Sequence, residues 1–169
     1  MNSKLVLSTF LAVCLTGSIV AQTTDYASKV NTLIGTDYTG NTYPGAQAPF
    51  GMVQLSPDNG IPGWDRIAGY FYPDSTIAGF SHTHLSGTGA GDLYDISFLP
   101  VTLPFTQADE PLGIHSMFSH KDETAHAGYY QVRLTDYDIN VELTATPRCG
   151  IQRYTFPSDG KQRMVILNL

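Results

Sequence analysis

Alternation of apolar and polar positions dominates the second half of the chain. Ile139, Val141, Leu143 and Ala145 alternate with Asn140, Glu142, Thr144 and Thr146, the period-two pattern of a strand with one buried and one wet face. Tyr130, Val132 and Leu134 alternate in the same way with Gln131, Arg133 and Thr135, and Asp136-Tyr137-Asp138 supplies a turn between the two runs. Together they predict a β-hairpin. Further strands are predicted over residues 51–55, 78–85, 95–99, 150–156 and 163–169. Helical spacing occurs once, at Tyr26, Val30, Leu33 and Ile34, with Thr24 or Asp25 placed to cap and Gly35 to stop it. Many short strands punctuated by Gly and Pro predict an all-β fold. It is an antiparallel β-sandwich with long Gly/Pro-rich loops and one short N-terminal helix. The last run, Met164-Val165-Ile166-Leu167, is almost continuously apolar and reads as a central buried strand. The chain stops two residues later without a turn or polar tail, which predicts a fragment of something longer.

Composition narrows the class. Of 169 residues, 42% are hydrophobic and only 14% charged, against about 25% charged in ordinary soluble domains. A chain this apolar can bury enough surface to fold, which excludes disorder. The formal net charge is −6, and no basic run is present to hold a phosphate backbone. Nucleic acid is therefore not an expected partner.

The start of the chain reads as an address. Lys4 is the only charge before Asp25 and precedes an apolar run from Leu5 to Val20, interrupted by Ser8, Thr9, Thr16, Gly17 and Ser18. A basic start, a modest apolar stretch and Ala21 at the cleavage point predict a secretory signal peptide over residues 1–21 and a domain over 22–169. The run is shorter than the roughly 20 strongly apolar residues of a membrane span. Val13 ahead of Cys14 also fits a lipoprotein signal poorly. Cleavage removes Cys14 and leaves Cys149 alone, so no internal disulfide is available and the core must hold the domain. Cys149 has Arg148 and Gly150 as neighbours and no evident base, which favours a structural over a nucleophilic role.

Residues that could carry chemistry cluster between Gly35 and Asp95. Gly35 to Gly51 is too rich in Gly and Pro for regular structure and fixes a shaped loop. It lacks the GKS or GKT ending of a phosphate-binding loop. Gly63-Trp64-Asp65 sets the only tryptophan beside a carboxylate. An indole can stack on the C–H face of a sugar while Asp65 accepts hydrogen bonds from hydroxyls, but a core tryptophan beside a turn aspartate has the same sequence. In Phe80-Ser81-His82-Thr83-His84-Leu85-Ser86-Gly87-Thr88-Gly89, an extended backbone would put Phe80, His82 and His84 on one face. Two imidazoles so placed could ligate a metal, yet Ser86 and Gly87 stand where a metallo-hydrolase would supply further ligands. The histidines and Ser86 could instead bond a polyol, or one another. Asp92 and Asp95 could serve as acid and base, although turn carboxylates bonded to backbone are commoner. His115, His120 and His126 show no ligand spacing.

These motifs carry a resemblance. Val30-Asn31, Ile34-Gly35-Thr36, Gly40-Asn41-Thr42-Tyr43-Pro44-Gly45-Ala46 and Pro49-Phe50-Gly51-Met52-Val53-Gln54-Leu55-Ser56-Pro57-Asp58 resemble the start of glycoside hydrolase family 92. Gly69-Tyr70, the Gly79 to Gly89 stretch, Gly91-Asp92, Glu142-Leu143-Thr144-Ala145-Thr146, Arg148 and Tyr154-Thr155-Phe156-Pro157 continue the match in order. The resemblance implies an exo-acting, inverting, calcium-dependent α-mannosidase that acts on mannose-containing glycans such as N-glycans. It implies a secreted protein, periplasmic or on the cell surface of a bacterium. It also implies an N-terminal sandwich followed by an (α/α)6 catalytic domain that is absent from this chain, with the acid, the base and most calcium ligands in that missing part. No catalytic residue is then expected here. Gly63, Trp64, Asp65, His82, His84 and Ser86 are the implied substrate-binding contributions, with metal ligands undetermined. The competing reading is a stand-alone carbohydrate-binding sandwich without hydrolytic activity.

Overall fold

The computed structural model describes residues 24–61, 63–87, 93–104 and 113–169. The signal-peptide expectation for residues 1–21 lies outside them. Eleven strands are described, all paired antiparallel: β1 (Ala46–Gln47), β2 (Gln54–Asp58), β3 (Thr76–Ile77), β4 (Gly79–Ser81), β5 (Ser97–Thr102), β6 (Ser116–Met117), β7 (Glu123–His126), β8 (Tyr129–Leu134), β9 (Ile139–Ala145), β10 (Gly150–Thr155) and β11 (Arg163–Asn168). A five-stranded sheet runs β1-β2-β4-β5-β11 and a four-stranded one β10-β9-β8-β7, with β3 and β6 forming a small third pair. Strands β1 and β2 lie against β8 and β9, which makes the sandwich.

The predicted hairpin is β8–β9, with Val132 opposite Val141, Tyr130 opposite Leu143 and Leu134 opposite Ile139. All six are buried, and they meet Leu55, Phe80, Leu99 and Val101 from the other sheet. Alternation sets this register, because a slip of one residue would send every apolar side chain to the wet face. On that wet face Arg153 of β10 pairs with Glu142 of β9, directly opposite it, and the Tyr129 hydroxyl adds a 2.8 Å bond to the same carboxylate. These partners hold the Glu142 carboxyl below its usual range.

Three expectations differ from the structure. The helical spacing near the start yields only a 3-10 turn, Ala27–Lys29, because the backbone becomes extended at Val30 (φ −82°, ψ 121°), well before the expected stop at Gly35. The strands expected over 51–55 and 95–99 are displaced toward the C-terminus, to β2 and β5. Gly51 closes a turn on Ala48, and Asp95 is taken up by Thr83, so neither residue pairs in the sheet. Among the described residues β11 is the outer strand of the five-stranded sheet rather than a central one, and pairs with β5. Its Met164, Val165 and Leu167 are exposed, and only Ile166 packs on the core.

The segment from Asn59 to Ile77 leaves the sandwich after β2 and returns as β3. Its backbone groups cannot use a sheet ladder, so a side chain satisfies them. Asn59 is fully buried. Its Oδ1 accepts from the Phe71 N–H at 2.5 Å, and its Nδ2 donates to the Thr76 carbonyl at 2.7 Å. Its own N–H donates to Gly69, and its carbonyl accepts from the Thr76 hydroxyl.

Replacing Asn59 with Ala leaves a buried N–H and a buried carbonyl without partners. Urea denaturation is expected to show a loss of roughly 2–5 kcal/mol, with the β8–β9 core unchanged. A second expectation concerns pH. Because its folded pKa is depressed, Glu142 adds stability above the unfolded carboxylate range and loses it as pH falls through its own lower value. Glu142→Gln should therefore lower the melting temperature in the neutral range, converge with the wild type as pH falls, and so flatten the acid limb of the profile.

Candidate functional site

Trp64 is on the surface. It begins a 3-10 turn, Trp64–Arg66, and is 61% exposed, which removes the core reading of the only tryptophan. The turn closes through Arg66 N–H to the Gly63 carbonyl (3.1 Å) and Gly69 N–H to the Arg66 carbonyl (2.9 Å). Gly63 is exposed and Asp65 half-buried, within reach of the Arg66 charge.

The turn is gripped from its inner side. Arg66 forms a two-bond fork with Asp74, Nε to Oδ2 and Nη2 to Oδ1, both 2.6 Å, and its guanidinium lies 4.5 Å from the Phe71 ring centre. The Tyr94 hydroxyl donates to the Ile67 carbonyl. Beside the turn opens a hollow of about 380 Å³ whose lining includes Asp58, Gly63, Arg66, Tyr94, Ser97 and Asn168.

The His82–Ser86 stretch is split. β4 ends at Ser81, so the period-two geometry expected to align Phe80, His82 and His84 does not extend past it. Phe80 is core. His82 is half-buried, its Nδ1 3.2 Å from the Ile96 carbonyl and its ring edge-on to Phe98. His84 is 2% exposed. Its Nδ1 faces the Gln54 carbonyl at 2.7 Å and its Nε2 faces Asp58 Oδ1 at 2.8 Å, with Ser81 Oγ 3.3 Å away. The ring has no nitrogen free for a sugar hydroxyl. Ser86 is exposed and lines a second hollow of about 560 Å³ together with Val30, Tyr43, Gln47, Pro49 and Ala145. His84 lies between the two hollows, with ring centres 5.1 Å from Tyr43 and 5.8 Å from Tyr94. Burial raises the Tyr43 phenol above its ordinary value, and a bond from Ser86 opposes that shift.

Among the described residues no three His, Cys, Asp or Glu side chains come together as a metal cage. The described residues therefore do not fit calcium, a hard cation that wants several oxygen ligands at once. Asp92 lies outside the described residues. Asp95 is exposed and accepts a 3.2 Å bond from the Thr83 hydroxyl, the ordinary use of a turn carboxylate. Cys149 is an exposed free thiol in the turn after β9, where its backbone rather than its sulfur is engaged by Thr146.

Sequence reading missed the groups that place the turn. Asp58, Asn59, Asp74 and Tyr94 act across gaps of 8 to 27 residues, and no local motif announces them. It also missed Glu123. This buried carboxylate accepts from the Tyr70 and Tyr130 hydroxyls on Oε1 (2.8 and 2.7 Å) and lies 2.6 Å from His120 Nδ1 on Oε2. Burial and the Glu123 charge raise both phenols far above their usual range, so they serve as donors only. The His120-to-Glu123 spacing was the available signal.

Comparison with known proteins gives a consistent result. Residues 29–169 match the glycosyl hydrolase family 92 N-terminal domain. A family GH92 α-mannosidase of Bacteroides thetaiotaomicron, solved in complex with mannoimidazole, superposes with a TM-score of 0.74 at 43% identity, over 82% of this chain and 19% of that one. The GH92 glycosyl hydrolase CcMan5 gives a TM-score of 0.71 at 33% identity, over 85% and 20%. A protein of Arthroderma benhamiae named an uncharacterized secreted glycosidase is 29% identical over 160 residues, covering 86% of this chain and 20% of that protein. The chain thus spans about a fifth of the length of these relatives. With the family signature, the antiparallel sandwich and the ordered motifs in agreement, this chain belongs to glycoside hydrolase family 92, as its N-terminal domain.

Proposed function

We propose that this chain is the non-catalytic sandwich of a secreted, exo-acting, inverting α-mannosidase that removes terminal α-linked mannose from glycans. Its part is to supply one wall of the mannose pocket and to support the catalytic domain. The observation that carries the reading is Trp64, the only tryptophan, exposed on a turn fastened to the sandwich and bordered by a hollow. A planar indole held at fixed posture can stack on the apolar face of a pyranose. Asp65 beside it can accept from sugar hydroxyls.

Gly63, Trp64 and Asp65 form the sugar-facing edge in this reading. His82 and Ser86, which keep accessible surface, line the rim, and His84 stands behind it. Inversion needs a carboxylic acid at the glycosidic oxygen and a base holding water on the opposite face. Both are assigned to the part of the protein outside this chain, together with the calcium site. The exposed Phe50, Met52 and Tyr38 suit a surface covered by that second domain.

The purified chain is expected to bind α-mannosides weakly, with millimolar dissociation constants (about −4 kcal/mol), seen as a change in Trp64 fluorescence, and to release no mannose. Turnover by the purified chain would overturn the assignment of acid and base elsewhere. Tight binding would favour the stand-alone carbohydrate-binding domain instead. In the full-length enzyme, Trp64→Ala should lower kcat/KM about tenfold or more without lowering the melting temperature, because the indole is not part of the core.

A further inference from the structure

We propose that the turn over residues 48–52, with Phe50 at its tip, is the anchor that docks this sandwich onto the remainder of the full-length protein. The proposal rests on the reading above only in taking that remainder to be the catalytic domain. Phe50 has φ +55° and is fully exposed. The left-handed region suits glycine and is uncommon for a bulky side chain. Phenylalanine normally adds one of the largest apolar areas to a core, yet here the whole ring is open to water. The residue therefore strains the backbone and adds no packing to this domain. Both costs are offset only where a partner covers the ring.

The turn is fastened in a way that preserves the strain. The Gly51 N–H donates to the Ala48 carbonyl at 2.9 Å, and the Met52 N–H donates to the Pro147 carbonyl at 2.7 Å. Gln54 Nε2 donates to the Gly51 carbonyl at 2.9 Å. Gly51 also lies so near the turn after β9 that a Cβ there would stand 3.3 Å from Pro147 Cα. The backbone next to Phe50 is thus pinned, and the ring is presented outward from a fixed base. An aromatic side chain on an ordered turn loses little conformational freedom when it is covered, which suits it to act as an anchor.

The surroundings fit a protein surface rather than a membrane. No Asp, Glu, Lys or Arg occurs between Asp37 and Asp58, and the exposed Met52 stands two residues from Phe50. Depletion of charge together with aromatic residues and methionine is the composition of an interface core. A membrane-facing patch would carry Lys or Arg at its border. On the other side of Phe50, Ala48 and Pro49 help to wall the hollow of about 560 Å³, with Val30, Gly45, Ala127 and Ala145. These side chains are small, so the hollow can accept a side chain of the partner while Phe50 enters the partner. Length names the occupant. The chain spans about a fifth of its relatives, and a domain on the same polypeptide meets this surface at an effective concentration on the order of millimolar. One rigid aromatic can then decide whether the two parts stay closed.

Phe50→Gly removes the ring and the strain together, so it should act with opposite sign in two contexts. In the purified chain the melting temperature is expected to stay level or rise by up to about 4 °C. In the full-length protein, F50G should make cleavage between the domains by a dilute protease about tenfold faster, through a larger population of undocked molecules. Phe50→Met keeps an apolar side chain and should restore most of the protection. A lower melting temperature for F50G in the purified chain would overturn the proposal, since the ring would then serve this domain itself. Unchanged cleavage of the full-length F50G protein would overturn it as well. A purified chain that sediments as a dimer, and as a monomer once F50G is introduced, would assign the turn to a second copy instead. Faster cleavage of F50G in a full-length protein that releases no mannose would leave the docking standing and remove the mannosidase reading. Normal mannose release with unchanged cleavage would do the reverse.

Discussion

Two adjacent side chains at the end of β2 decide how the exposed loop is held. A loop that leaves a sandwich takes its backbone groups away from the ladder, and each one that stays buried needs another partner. Asn59 meets this requirement with four hydrogen bonds, one from each polar group it has to offer, to Gly69, Phe71 and Thr76. Asp58, on the opposite face of the strand, takes His84 and supports Gly69. Without these two, the segment that carries Trp64 would be an ordinary mobile connection. With them it is part of the domain.

The interior shows the same economy with polar groups. Glu123 is a carboxylate with almost no exposure between two buried phenols, an arrangement that would be costly if any lone pair were left without a donor. Its neighbours supply them: Tyr70 from the loop, Tyr130 from β8 and His120 from the turn ahead of β7, which is itself stacked on Tyr72 at 4.0 Å. The phenols join the loop carrying the candidate site to the central hairpin. The apolar core and the site-bearing loop are therefore one cooperative unit rather than a scaffold with a decoration.

What was legible in the sequence follows from where the information lies. The β8–β9 hairpin was readable because one face is wet and the other dry, which writes the period into the residues themselves. β11 was harder to place, because four apolar residues in a row do not say which neighbours their faces meet. Trp64 stood out as the only residue of its kind, between Gly63 and Asp65, and the structure places it at the surface. The histidine motif misled in the opposite way. Its period-two spacing suggested a shared face, but the strand ends at Ser81 and His84 turns inward to partners at positions 54 and 58. Such long-range pairs leave no local pattern, so Asp58, Asn59, Asp74 and Tyr94 could be found only in three dimensions.

The geometry also explains why a domain without an acid or base of its own would suit the proposed role. An exposed aromatic on a free loop would have to be ordered each time a ligand arrives, and that entropy would be subtracted from an already weak stacking interaction. Here the ordering is done by folding. Arg66 is forked to Asp74, Ile67 is fixed by Tyr94, and Gly69 rests on the Asp58–His84 pair, all on the inner side of the turn. The outer side is left to the indole. A surface built in this way offers posture, and in the proposed function the reacting groups are brought to it by another part of the protein.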